Sequence, residues 1–111
     1  ALLAVLHQRP PAPASPPAGY KDMAVEVSGT RGGQVTTVRV DVESWAKVEW
    51  GASGGNLVTG VAPSIVAQWL ADGTLNQRGV LPPELGVPAL PFFKELERRG
   101  IVTTITETLP V

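Results

Sequence analysis

The sequence predicts an α+β fold: an antiparallel β-hairpin or small sheet, two C-terminal helices packed on one side of it, and a final strand. Three observations carry that expectation. Apolar and polar residues alternate over 23–28 and again over 37–43, on either side of a Gly-Gly pair. From residue 60 onward the apolar spacing turns helical. A β-branched run, 101–107, closes the chain.

The 111 residues suit one domain. A chain of this size buries roughly two thirds of the surface it exposes when unfolded, so a core is within reach. Residues 1–20 are expected to add little to it. Pro10, Pro11, Pro13, Pro16 and Pro17 fix φ and remove backbone donors, which predicts an extended tether. The chain begins at Ala rather than Met. The expectation is a piece of something longer, with Ala1 to His7 the end of an upstream helix. The predicted division is therefore a helix remnant and Pro-rich linker over 1–20, and one folded unit over 21–111.

From Met23 the period is two. Met23, Val25 and Val27 point one way, and Ala24, Glu26 and Ser28 the other. Val38, Val40 and Val42 alternate with Thr37, Arg39, Asp41 and Glu43. Thr30-Arg31-Gly32-Gly33 between the two runs is a turn signal, because glycine adopts positive φ without steric cost. Ser44 to Trp50 reads equally as a short strand or a loop. Gly51-Ala52-Ser53-Gly54-Gly55 reads as a flexible loop. It lacks the Lys-Ser/Thr pair that a phosphate-binding loop carries into its helix.

The first helix is expected from about Gly60 to Asp72. Ala62, Ile65, Val66, Trp69 and Leu70 form one apolar stripe, with Pro63 in the first turn and Gly73 as the C-terminal cap. A helix this short needs a packing partner, either the hairpin or another domain. Trp69→Ala should cost roughly 3–5 kcal/mol if the stripe is buried. Val80-Leu81-Pro82-Pro83-Glu84 is expected to be a stiff non-helical strap. The second helix is expected from near Pro91, with Phe92, Phe93 and Leu96 inward and Glu95–Arg99 as an exposed pair. Gly100 ends it, and Ile101 to Glu107 then joins the hairpin or a neighbouring sheet.

Composition excludes several functions. Nine basic and ten acidic side chains leave a net charge of -1, against nucleic acid as a partner. Lys94, Arg98 and Arg99 form the one basic cluster, and a solvated helix end accounts for them. With no cysteine there are no disulfides, thiolate nucleophiles or Cys-ligated metals, which fits a cytoplasmic protein. No apolar run is long enough to cross a bilayer, and Ala1 to Leu6 lacks the basic leader of a signal peptide. His7, the single histidine, has no co-ligands spaced for a metal. Glu84 is the one acid in the strap. It would be a general base only with a raised pKa, and a surface contact otherwise.

No catalytic, metal or cofactor-binding residue is expected in this chain. Thr59-Gly60 is a candidate anion site, since a helix N-terminus offers free N–H groups and partial positive charge; ordinary N-capping by Thr59 is the plainer reading. Trp45 and Trp50 flank a weak strand, and exposed there they would mark a dimer face.

The order of several motifs is similar to the last segment of saccharopine dehydrogenase-like oxidoreductases. These are Thr59-Gly60 with Ala62-Pro63, then Gly73, then Gly79-Val80-Leu81-Pro82-Pro83-Glu84, then Phe92-Phe93 with Leu96 and Arg99-Gly100-Ile101. Val25 to Gly29 with Gly32-Gly33 resembles the strand pair that precedes it, so the similarity spans about Met23 to Thr106. The resemblance implies a parent enzyme with an N-terminal Rossmann domain that binds NAD or NADP and acts on an amino-acid-like C–N bond. It implies a second domain, a sheet under helices, that closes the substrate cleft and builds a homodimer. Trp69 and Ile65 would then lie at an interdomain contact. No Gly-x-Gly-x-x-Gly fingerprint occurs here, so this segment should be inactive by itself and bind no cofactor. A free-standing α+β protein-interaction module, recognising a peptide or subunit through a sheet edge, is the alternative.

Overall fold

A computed structural model describes residues 18–110. The expected helix remnant, His7 and most of the Pro-rich tether lie outside the described residues. The fold is α+β. Its elements are β1 (Tyr20–Arg31), β2 (Gln34–Trp45), a 3-10 turn (Val48–Trp50), α1 (Gly54–Ala71), α2 (Pro83–Gly86), α3 (Ala89–Arg98) and β3 (Ile101–Thr108).

The three strands form one antiparallel sheet in the order β1-β2-β3. The hairpin is longer than the alternation alone suggests, with twelve residues in each arm. Gly32 and Gly33 connect Arg31 to Gln34 with φ of 59° and 83°, the doubly positive turn that matches strand twist. β3 joins the hairpin, pairing Ile101 with Ser44 and Glu107 with Val38. Residues directly opposite share a face. Met23, Val25 and Val27 therefore lie with Val42, Val40 and Val38, and with Thr103, Ile105 and Glu107.

Helices cover only one end of that face. The core is Leu57, Val61 and Ile65 of α1, Leu96 of α3 and Ile101 of β3, with Val42, Val58, Phe92 and Phe93 packed against it. Beyond it the sheet runs bare: Val25 is 62 %, Val27 63 % and Ile105 50 % exposed. The half-buried reading of β1 therefore needs correction. Its strand period is right, but its apolar side is uncovered over most of its length.

α1 begins six residues before the expected Gly60. Ser53 caps it, its hydroxyl accepting from the Asn56 N–H at 3.2 Å. The supposed flexible loop thus supplies the first turn. Gly54 is there because nothing larger fits: a β-carbon would lie 2.3 Å from the Ser44 carbonyl oxygen. Pro63 sits in the helix interior, not the first turn. Glycine and proline are poor helix formers, together costing several kcal/mol relative to alanine. Burial of Leu57, Val61 and Ile65, spaced four apart along one face, outweighs that cost.

The strap is also partly helical. Pro82 is extended, but Pro83 opens α2 at its first position, where a missing N–H does no harm. α3 starts at Ala89, two residues before Pro91, and Gly100 with φ 82° turns the chain into β3. Glu95 and Arg99 are not an exposed pair. Each side chain keeps about a fifth of its exposure, and Arg99 also donates to Gln68 Oε1 at 3.0 Å, tying α3 to α1.

Candidate functional site

An open groove of about 580 Å³ lies between α1 and α3. Val66 and Leu70 form one wall, Phe92 and Phe93 the other, with Val87 and Glu84 from the α2 region at one end. The sequence built both walls for packing. The stripe of α1 and the aromatic pair of α3 approach at Trp69, whose ring meets Phe92 edge-on at 6.2 Å. They then diverge, and the space between stays open. Glu84 is the one charged residue in the lining. With no titratable partner beside it, the groove has the character of a packing surface rather than a reaction centre.

Thr59 and Gly60 do not form a helix N-terminus. They lie in the second turn of α1, where Thr59 Oγ1 donates to the Gly55 carbonyl at 2.9 Å. Their N–H groups are within the helical ladder and are not presented to an anion. The polarity is in fact reversed. Pro63 has no N–H, so the usual bond to the Thr59 carbonyl cannot form, and this spot offers an acceptor. The true N-terminus, at Gly54, is capped by the Ser53 hydroxyl and packs against the sheet near the Ser44 and Gly19 carbonyls. The error traces to reading the Gly-rich stretch as loop.

The four expected interface residues separate into two groups. Ile65 has no exposed surface and belongs to the core, so it cannot meet another domain. Trp69 is half-buried against Phe92 and faces inward. Trp45 and Trp50 are 60 % and 54 % exposed. Trp45 stacks on Tyr20 at 4.4 Å, and the Lys47 ammonium sits 4.0 Å over the Trp50 ring. Trp45 and Tyr20 thus form an exposed aromatic pair on the sheet face opposite Ser44 and Val42, and Trp50 is exposed in the 3-10 turn. Residues that the sequence reading missed, Leu57 and Val61, are structural.

Charged groups are paired locally. Arg98 and Arg99 both engage Glu95, so the basic cluster is partly neutralised by its own helix. The hydrogen bond from Arg99, aided by the charges of Arg98 and Arg99, holds the Glu95 carboxyl below the usual carboxylate range. Arg39 grips Asp41 through two nitrogens and lowers it likewise. Among the described residues no three His, Cys, Asp or Glu side chains converge to hold a metal. No helix among them is long and apolar enough to cross a membrane. No family model matches the chain, and no solved structure matches it.

Proposed function

We propose that this chain is the substrate-side and assembly portion of a saccharopine dehydrogenase-like oxidoreductase, inactive by itself. In this reading it packs on a Rossmann domain of the same parent chain, which holds NAD or NADP. One observation carries the reading: an apolar groove between two helices, with Leu70 more than half exposed on its wall, has no cover among the described residues. Apolar surface of this extent normally meets another protein surface. The motif order from Thr59 to Ile101 supports the choice of parent.

Calorimetric titration of this chain with NAD and NADP tests it. No heat of binding is expected, and micromolar affinity would place a nucleotide site here and overturn the assignment. In the full-length gene product, Leu70→Asp is expected to weaken domain packing and lower NAD(P)-linked turnover while leaving cofactor affinity intact. A second reading, a free-standing interaction module, is favoured by the open edge of β1, whose twelve residues are all exposed. A Gly-x-Gly-x-x-Gly segment encoded upstream of Ala1 separates the two, supporting the first.

A further inference from the structure

We propose that β1 is a self-pairing edge: a second copy of this chain adds its own β1 antiparallel to the first, with Val25 opposite Val25, to give a six-stranded sheet. The proposal specifies the subunit partner within the assembly reading above and rests on it only for the expectation that copies associate.

The backbone comes first. A two-residue turn makes Arg31 and Gln34 a hydrogen-bonded pair. Counting back, Gly29, Val27, Val25, Met23 and Lys21 bond to β2. Asp22, Ala24, Glu26 and Ser28 then turn their N–H and C=O groups outward. Sheet order leaves β1 at the edge, and no strand or helix among the described residues takes those groups. Edges of such length are usually blunted by proline, a bulge or a short span. β1 has no proline, and its pairing with β2 is unbroken from Tyr20 to Arg31.

Length of overlap and charge together then select the register. Opposed residues must share a face, so the two-fold axis must pass through a residue. Centres on Val25 or Glu26 engage nearly the whole strand. A centre on Glu26 sets Glu26 against itself and Lys21 against Arg31. A centre on Ala24 sets Asp22 against Glu26. A centre on Val25 opposes Ala24 to Glu26, Met23 to Val27, Asp22 to Ser28 and Lys21 to Gly29, with no like charges facing.

The same register addresses the bare sheet. α1 lies over the Met23 and Val42 end of its own hairpin. With Met23 of the second copy beside Val27, the helical layer of each copy borders the uncovered half of the other. Val25 and Val27, the most exposed apolar residues of β1, sit at the centre of the junction.

The chain has no cysteine, so single introduced cysteines report pairing cleanly. Opposed residues in a non-hydrogen-bonded pair have Cα atoms about 4.5 Å apart, within disulfide reach. Val25→Cys is expected to cross-link to itself under mild oxidation, and Val27→Cys to do so only when mixed with Met23→Cys. Ala24→Pro removes one outward N–H without touching the β2 ladder. It is expected to halve the sedimenting mass with an unchanged circular dichroism spectrum. A monomer at millimolar concentration would overturn the proposal, as would Val27→Cys linking to itself as readily as Val25→Cys. A dimer that survives Ala24→Pro would point to face-to-face packing and overturn it as well. Cofactor calorimetry is indifferent to all three results, so the two proposals fail separately.

Discussion

The two ends of the inward sheet face share the same strands, the same alternation and much the same residues, yet helices pack over only one of them among the described residues. Near Ser44 and Ile101, α1 and α3 seal the face so completely that Ser44 has no exposed surface. About 13–20 Å along the strands, by the usual rise per residue, Val27 and Ile105 on the same face stand exposed. The arrangement spans 59 × 35 × 26 Å, and the hairpin extends past its own cover. Alternation reports that a face is suited to burial. It does not report whether the same chain supplies the lid.

Measurements at the covered and uncovered ends would break or sharpen that contrast. Ile65→Ala should cost about 2–5 kcal/mol in denaturant unfolding, as expected for a fully buried aliphatic. Val27→Ala in the monomeric state should change stability by less than about 0.5 kcal/mol, as surface substitutions do. A large loss at Val27 would mean the far end is covered after all. Next in size, Gly54→Ala should destabilise by about 1–3 kcal/mol, because its methyl group collides with the Ser44 carbonyl. Gly60→Ala, where a β-carbon meets open space, should instead stabilise α1 by up to about 1 kcal/mol.

Ser44→Ala probes the covered end from another side. The Ser44 hydroxyl is buried without a hydrogen-bond partner, and so is that of Thr103. Its removal should be neutral or slightly stabilising in thermal melts. A pH-dependent effect is expected at Glu95. Its pKa is lowered on folding, so the stabilisation is present above the ordinary carboxylate pKa and fades as pH falls through the lowered value. Glu95→Gln should flatten the acid side of the stability profile in thermal melts.

The hairpin and β3 were legible because period-two patterning and Gly32-Gly33 are local signals. The start of α1 was not. Gly54, Gly55, Gly60 and Pro63 all argue against a helix locally, and the burial of Leu57 and Val61 that overrides them is tertiary. Pro83 has the local signature of a breaker, although the first helical position favours proline. The groove walls were visible as the Val66–Leu70 stripe and the Phe92-Phe93 pair. What could not be read was that the stripe divides: Ile65 turns into the core, while Leu70 is left outside. Thr59 was misassigned for the same reason as the helix start.

Gly54 also bears on the order of assembly. The floor it rests on consists of Gly19 and Lys21 from one arm and Ser44 from the other, which become neighbours only once the hairpin has closed in register. The geometry predicts that docking of α1 on this floor follows pairing of β1 with β2. Kinetic analysis should find Gly32 and Gly33 acting on the folding rate, and Gly54 chiefly on the unfolding rate.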